Sequence, residues 1–217
     1  MAGIECFLLR GDELGLARPY FAGERGLAAE LKAANMFEIN KIGKKVGNVI
    51  ALLKALNWMA QQKVHVVNLS IAGTNNRAVN KAFKAARKKG LVMVAAVGNW
   101  GRADKPAYPA AYSEVLAVTA VGPYRGIYKK ANRGNYVEFA APGVRLWTAI
   151  AGGGKYQSGT SFATPYVTAL LGLEIAKGAS KSPSSLRTIL KGSAADLGKP
   201  GRDQVYGWGF VEKQPNC

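Results

Sequence analysis

With 217 residues, of which 48% are hydrophobic, the chain is long enough for one α/β domain with a sizeable core. No apolar run approaches the roughly 18 residues of a membrane span, and the acidic start MAGIECFLLRGDELG is unlike a secretory signal, so we expect a soluble chain without an export signal. Thirty Lys and Arg against thirteen Asp and Glu give a net charge of +17, which makes contact with polyanions physically plausible.

The first half of the chain alternates between helical and strand-like patterns. Residues 47–61 carry apolar side chains at helical spacing after Asn48, a residue type suited to a helix N-cap. The β-branched run 64–69 predicts a strand, residues 76–89 predict an amphipathic helix, and the run 91–97 predicts a second strand. Apolar strands on either side of a helix are typical of a right-handed βαβ unit in a parallel sheet that is covered on both faces.

The second half extends the same sheet and ends in helices. Residues 115–121 predict a third strand, and a short strand is predicted at 136–140 between loops rich in Gly, Asn and Pro. Residues 160–176 are apolar nearly all round, which indicates a central buried helix, while 183–192 predict a short surface helix. The sequence shows no internal repeat and no linker, so we expect one domain.

The helix predicted at 76–89 has a strongly basic face. Its cations fall at helical spacing on one side, opposite an apolar side, and they are Arg77, Lys81, Lys84 and Lys88. Because no RNA- or DNA-binding motif accompanies them, the pattern favours a solvated outer face. Weak binding of a polyanion is the alternative hypothesis, which retention on heparin or DNA and its salt dependence would test.

Residues 159–165, GTSFATP, form a turn of small residues that opens the buried helix with Ser161 in its first turn. Unpaired N–H groups and the positive end of the helix dipole lie beside a hydroxyl in that position, so they would stabilise negative charge that develops on an attacked carbonyl. Taken alone, Thr160 or Ser161 would more simply cap the helix. Other blocks of the sequence favour the chemical interpretation.

The turn matches GTSxAxP, the serine motif of the subtilisin-like (subtilase) family, at every fixed position. Further blocks resemble that family in the same order across residues 26–211, and they are 67–73, 94–99, 108–110, 131–134, 139–144 and 206–209. The resemblance implies a three-layer α/β/α fold with a mostly parallel central sheet. It also implies a serine endopeptidase that works through an acyl-enzyme.

The resemblance also implies roles for individual residues. Ser161 is expected as the nucleophile, and the Asn99 side chain and the Ser161 backbone N–H as the oxyanion hole. The substrate-binding residues that it implies are Ser70, Ile71, Ala72, Gly73, Ala95, Ala96, Val97 and Gly98. Their small apolar character suggests a pocket that accepts bulky apolar side chains of a peptide or protein substrate. We expect no cofactor and no tightly bound metal, because the few acids form no recognisable cluster of oxygen ligands.

The family pattern breaks where its other triad residues should be. Neither DTG or DSG nor HGT occurs, and the only histidine, His65, is expected at the entrance of a strand, away from the serine. Residues 1–11 can be laid on the family helix that begins with the catalytic histidine, and Met1 then takes its place. We therefore expect the single domain 1–217 to lack the family's N-terminal part and to leave a sheet edge open. A serine without a base is a poor nucleophile, so we also expect impaired catalysis.

Two further hypotheses assign the chain a different role. It could be a basic polyanion-binding module on a pseudoprotease scaffold. It could also be a regulatory partner that self-associates, or pairs with an intact relative or a missing N-terminal segment, through an exposed sheet edge. Cys6 and Cys217 have neither metal-site nor disulfide spacing, and nothing in the sequence fixes a compartment.

Overall fold

The computed structural model describes residues 4–7, 29–43, 45–150 and 153–213. The helices within these ranges are α1 Val49–Gln61, α2 Arg77–Lys88, α3 Thr160–Ala176 and α4 Pro183–Gly192. Each confirms a predicted helix to within two residues. The predicted cap of α1 is confirmed too, because Asn48 Oδ1 accepts hydrogen bonds from the N–H groups of Ile50 and Ala51 at 2.8 and 3.1 Å.

The strands include the three long runs predicted from the sequence. In chain order they are β1 Ile4–Phe7, β2 Ala29–Ala33, β3 Phe37–Ile39, β4 Lys45–Gly47, β5 Val66–Leu69, β6 Val92–Ala96, β7 Val115–Val121, β8 Phe139–Pro142, β9 Leu146–Ile150, β10 Gly153–Gln157, β11 Ala194–Ala195 and β12 Phe210–Val211. The strand predicted at 136–140 begins later, at Phe139, because the Val137 N–H bonds back to Gly134 O within a turn.

Six strands form the central sheet in the order β11-β12-β8-β7-β6-β5. The ladder is parallel from β12 to β5, and β11 pairs with β12 in the antiparallel direction. In register, Leu69 of β5 lies level with Ala95 of β6, which lies level with Ala117 of β7. The predicted mostly parallel sheet is therefore confirmed.

Helices cover both faces of this sheet. On one face, α1 and α2 bury Met59 and Phe83 against sheet residues such as Leu69. On the other face, α3 and α4 bury Leu170 and Leu186 in a second core cluster. Because both faces are covered, β5 to β7 are buried along their whole length, which explains their continuous apolar sequences. The architecture is the expected three-layer α/β/α arrangement.

The N-terminal strand β1 corrects an expectation. Residues 1–11 were expected to follow a helix, but Ile4–Phe7 is a strand that pairs in parallel with β2 and lies beside β5. Ile and Phe favour strands, and the pairing satisfies backbone N–H and C=O groups. The β5 end of the six-stranded sheet is thus flanked by β1. The other residues of 1–11 lie outside the described ranges.

Two short antiparallel pairs were not predicted. β3 pairs with β4, and β9 pairs with β10 in the segment that leads into α3. Across the described residues, no helix combines the length and apolar character needed to cross a membrane.

Candidate functional site

The predicted site residues meet at one edge of the sheet. Ser70 follows β5 directly and Asn99 comes shortly after β6. The carboxyl ends of parallel strands open on the same edge, where α/β proteins bind their ligands. The first turn of α3 reaches this edge as well, because Thr160 is hydrogen-bonded to Asn99. The structure therefore brings Ser70, Asn99 and Ser161 together.

Ser161 is the second residue of α3, after an N-cap residue, Gly159, that makes no side-chain cap. The simpler interpretation that a Thr160 or Ser161 hydroxyl caps the helix is therefore wrong. Ser161 is half-buried, and neither its Oγ nor its backbone N–H has a hydrogen-bond partner in the part of the chain that the structure describes. Both groups are available to a ligand beside the positive end of the helix dipole.

A close backbone approach fixes the start of α3. The Gly159 N–H donates to Gly143 O at 2.8 Å, just after β8. A Cβ atom on Gly143 would lie 2.6 Å from Ala120 Cβ and 2.9 Å from Gly159 O, so only glycine fits there. The loop after β8 thus seats the turn that precedes Ser161 against the sheet.

The Asn99 side chain is oriented by Thr160. Asn99 Oδ1 accepts hydrogen bonds from the Thr160 N–H at 3.0 Å and from Thr160 Oγ1 at 2.9 Å. Because its oxygen is occupied, its Nδ2 is the end that remains to donate, and Asn99 is an exposed residue. An amide oriented in this way can donate a hydrogen bond to a ligand at this edge of the sheet.

Asn132 holds the turn that carries Asn99. Its side chain is fully buried, and Asn132 Oδ1 accepts from the N–H groups of Trp100 and Arg102 at 2.9 and 3.3 Å. Its own N–H donates to Gly98 O at 3.0 Å, so it binds the turn on both sides of Asn99. Gly98 has a φ of +95°, a left-handed conformation that favours glycine.

The carbonyl of Ser161 is bound from outside its own helix. Pro165 lies in the first turns of α3 and has no N–H, so it cannot donate to the carbonyl four residues earlier, which is that of Ser161. Ser70 Oγ fills this place, at 2.9 Å from Ser161 O. Ser70 is itself held by Asn68 Nδ2 at 3.0 Å, and Thr168 Oγ1 donates to Asn68 Oδ1 at 3.3 Å. This buried polar chain joins β5 to α3 beneath Ser161.

An apolar cleft of about 410 Å³ lies next to Ser70. Three of the predicted substrate-binding residues line it, namely Ile71, Ala72 and Gly73. The 108–110 block of the sequence already marked two more lining residues, Tyr108 and Pro109. The sequence did not point to the others, which are Met36, Phe37, Gly47, Val49, Leu52, Thr74, Asn76, Val79 and Tyr112. Four of these nine lie on β3, β4 and α1, far from the serine motif in sequence.

Backbone groups beside the cleft are partly occupied. Gly73 and Tyr108 exchange two hydrogen bonds, from the Gly73 N–H at 2.7 Å and the Tyr108 N–H at 3.0 Å. Ala72 is exposed and has no backbone partner among the described residues. The edge open to a peptide backbone is thus at Ala72 and not at Gly73.

The second predicted group of substrate-binding residues lies deeper. Ala95 and Val97 are fully buried in the core cluster that faces α1 and α2, and Ala96 is almost fully buried. None of them lines the apolar cleft, and Gly98 carries the turn before Asn99 instead. Tyr136 Oη bonds to Val97 O at 2.9 Å, and burial raises the pKa of this phenol.

His65 lies at the other end of the strand from the site. It directly precedes β5, whereas Ser70 directly follows it, and its carbonyl accepts from the Val92 N–H at the amino edge of the sheet. Five residues of extended chain separate His65 from Ser70, which is about 16 Å at 3.3 Å per residue. The structure does not bring the histidine to Ser161.

One charged pair flanks the turn that carries Asn99. Arg102 Nη2 lies 2.6 Å from Asp104 Oδ2, and this hydrogen bond lowers the pKa of Asp104 from 3.8 to about 2. Among the residues that the structure covers, no three His, Cys, Asp or Glu side chains are grouped closely enough to hold a metal ion.

Comparison with known proteins by sequence points to one family. Residues 28–209 match the family described as the subtilase family. The chain is 32% identical over 198 residues to the minor extracellular protease Epr of Bacillus subtilis, covering 88% of this chain and 30% of that protein. It is 31% identical over 193 residues to subtilisin Savinase of Lederbergia lenta, covering 87% and 70%. The chain thus spans less than a third of the length of Epr.

Solved structures show the same fold. The prenylagaramide maturation protease PagA superposes with a TM-score of 0.78 at 22% identity, covering 96% of this chain and 89% of that one. A mutant of the protease domain of PatA superposes with a TM-score of 0.79 at 20% identity, covering 96% and 92%. At this identity the likeness concerns the fold alone.

Proposed function

The chain belongs to the subtilase family of serine peptidases, and we propose that it binds peptides at the carboxyl edge of its sheet, with Ser161 as the nucleophile. Asn99 and the Ser161 N–H form the oxyanion hole in this proposal, and the chain by itself is catalytically impaired. The observation that supports it most directly is the pair of hydrogen bonds from Thr160 to Asn99 Oδ1, which leaves Nδ2 to donate beside Ser161.

The chemistry follows from the free groups of α3. Ser161 Oγ adds to the carbonyl carbon of the bound peptide while an external base, such as added imidazole, takes the hydroxyl proton. The negative charge that develops on the carbonyl oxygen is stabilised by the Asn99 Nδ2–H and Ser161 N–H groups. Both donors are fixed before substrate binds, Asn99 by Thr160 and the start of the helix by Ser70. No reorganisation of these donors is then needed as charge develops.

The apolar cleft supports a peptide substrate with a bulky apolar side chain. Ile71, Val49 and Tyr108 form its apolar walls, and the unpaired backbone of Ala72 offers N–H and C=O groups to an extended peptide. Peptide binding at this place needs no titratable group.

The impairment follows from the residues available as a base. The sequence contains one histidine, and His65 is about 16 Å along β5 from the residue that contacts Ser161. A general base must come within about 3 Å of the proton that it removes, or act through one water. Ser161 therefore attacks an amide only slowly unless a base comes from elsewhere.

Exogenous imidazole tests the proposal. The purified chain is expected to cleave no peptide amide at neutral pH, but to form an acyl adduct from an activated peptidyl p-nitrophenyl ester when imidazole is added. Intact-protein and peptide mass spectrometry should locate this adduct on Ser161. Asn99→Ala should lower the rescued rate by about a hundred- to a thousandfold, a range that comes from subtilisin itself.

Two variants make the result specific. Ser161→Ala should remove the adduct, whereas Ser113→Ala, at an exposed serine away from the site, should leave it unchanged. Amide hydrolysis without imidazole that Ser161→Ala abolishes would contradict the proposed impairment. An adduct on any other residue would contradict the proposed nucleophile.

A further inference from the structure

The stretch of sequence that carries Ser161 has few acids. Between Val115 and Leu173 the sequence has one acidic residue, Glu138, and Arg187 engages both oxygens of its carboxylate at 2.7 Å. The same stretch has six basic residues, of which Arg125 is paired with Glu212. The other five are exposed, and we call them the basic rim: Lys129, Lys130, Arg133, Arg145 and Lys155. In the described part of the chain, no carboxylate pairs with any of them.

One half of the basic rim adjoins the turn that carries Asn99. The Gly101 N–H donates to Lys130 O at 2.7 Å, and the Arg133 N–H donates to Arg102 O at 2.8 Å. These two bonds, together with those of Asn132, tie the segment 129–133 to residues 98–102. The backbone of the segment that carries Lys129, Lys130 and Arg133 therefore adjoins the turn that carries Asn99.

The other half lies on the hairpin that leads into α3. Lys155 is on β10, a few residues before Gly159, and the Arg145 N–H donates to Ser158 Oγ at 2.9 Å. Because Thr160 is hydrogen-bonded to Asn99, the two segments that carry the basic rim are joined at the proposed oxyanion hole. They share no residue with the apolar cleft.

Exposed aromatic rings accompany the cations on the hairpin. Trp147 and Tyr156 are 63% and 64% exposed, and their ring centroids lie 5.0 Å apart in an edge-to-face arrangement. The guanidinium of Arg145 is 6.0 Å from the centroid of Tyr156. Trp, Tyr and Arg are the residues most often found at the energetic centre of protein interfaces.

We propose that the basic rim binds acidic residues of the peptide or protein substrate, next to the bond presented to Ser161. This inference rests on the proposed function and names the substrate class of that site: an apolar segment for the cleft joined to an acidic segment for the rim. Carboxylates on the substrate supply counter-charges that these cations do not find among the described residues.

A peptide fits this surface better than a nucleic acid does. The cations lie on two separate segments around a peptide-binding site, and the two exposed rings meet edge to face, so they do not form the parallel platform on which successive bases stack. The basic face of α2 is a different surface, since Lys84 and Lys88 lie on a helix that packs against α1 on the far side of the sheet from α3.

Fluorescence anisotropy with matched peptides tests this proposal. The two fluorescein-labelled peptides of a pair share an apolar segment, and one carries glutamates beside it where the other carries glutamines. Two such pairs are made. In one pair the glutamates or glutamines are on the N-terminal side of the apolar segment, and in the other they are on the C-terminal side. In one of these orientations we expect the glutamate peptide to bind about tenfold more tightly at low salt, because two or three exposed ion pairs act together. The preference should disappear at high salt.

A matched pair of variants assigns the effect. Lys130→Gln combined with Lys155→Gln should remove the preference for glutamate, whereas Lys84→Gln combined with Lys88→Gln should keep it with the same total charge. Circular dichroism and thermal unfolding check that both variants fold. Equal loss in both variants, or equal binding of the two peptides, would overturn the proposal. So would tighter binding of single-stranded DNA or heparin that depends on the rim lysines.

The result is separable from the test of the proposed function. Ester acylation with imidazole reports on Ser161 and needs no acidic substrate, whereas the anisotropy measurement needs no chemistry. Acylation of Ser161 without a preference for the glutamate peptide would overturn only the proposal that the basic rim binds acidic residues. A glutamate preference without acylation would support the rim and contradict the role of Ser161.

Discussion

The position of Ser161 depends on a side chain from another element. Ser70 Oγ donates to the carbonyl that Pro165 leaves without a helical partner. Ser70→Ala removes this bond and also the acceptor of Asn68 Nδ2, so two buried polar groups lose a partner. We expect the free energy of unfolding, measured with urea, to fall by about 1–3 kcal/mol. Ser113→Ala, at an exposed serine, should change it by less than about 0.5 kcal/mol.

A double-mutant cycle makes this prediction specific. Pro165→Ala restores an N–H that can donate to Ser161 O. The change in the free energy of unfolding that it causes should therefore be more stabilising in the Ser70→Ala background than in the parent chain. Strictly additive effects of the two substitutions would show that Ser70 and residue 165 do not serve the same carbonyl.

The ion pair of Arg102 and Asp104 gives a prediction on pH. The hydrogen bond from Arg102 lowers the pKa of Asp104 from 3.8 to about 2. Because the folded pKa is the lower one, the contribution of the pair to stability is complete above about pH 4 and is lost as the pH falls through 2. Carbon-detected NMR of the Asp104 carboxyl should show this titration, and Arg102→Gln should return it towards 3.8. An unshifted Asp104 in the parent chain would contradict the pairing.

At the level of residues, the sequence predicted which groups meet but not what holds them. The order of the motif blocks was enough to bring Asn99 to Ser161, because each block follows a strand or opens a helix of a known pattern. No local pattern pairs Ser70 with Ser161, or Asn132 with Trp100, since these partners are 91 and 32 positions apart. Such contacts depend on the final packing of loops.

Among the elements, the helices were the most predictable. Each helix extends over at least two turns and has a clear apolar stripe or a fully apolar sequence, so its period identifies it. β3 and β4 have three residues each, too few to show alternation. They nevertheless contribute Phe37 and Gly47 to the lining of the apolar cleft, so this part of the candidate site was missed. β1 was misassigned because a resemblance was extended over a segment without a shared motif.

The helix α2 supports the cleft from below. Phe83 is fully buried, and its ring centroid lies 5.5 Å from that of Tyr112, which lines the cleft. Phe83→Ala should therefore lower the free energy of unfolding by about 3–5 kcal/mol. The neighbouring exposed residue gives the control, because Lys84→Ala should cost less than about 0.5 kcal/mol. Urea unfolding of both variants is the measurement, and a similar loss in the two would contradict the assigned burial.

For the whole molecule, the parallel sheet explains why distant segments share a site. β5 and β6 run in the same direction, so Ser70 and Asn99 leave the sheet at one edge while His65 enters at the opposite edge. The same geometry separates the basic face of α2 from the candidate site, because α2 presents its lysines on the outer layer. The positive charges behind the net charge of +17 therefore do not form a single surface. The basic face of α2 and the basic rim lie in different parts of the fold.

The missing N–H of Pro165 has a consequence for how such a sequence can change over generations. While residue 165 is proline, the serine at position 70 cannot be exchanged freely, because its hydroxyl replaces the helical donor that the Ser161 carbonyl lacks. Once a residue with a backbone N–H occupies position 165, a hydroxyl at position 70 is no longer needed to bind the Ser161 carbonyl. The two positions are therefore coupled. A chimera that takes β5 from one relative and α3 from another should lose this support of its first helical turn when it combines proline at 165 with a residue at 70 that has no hydroxyl.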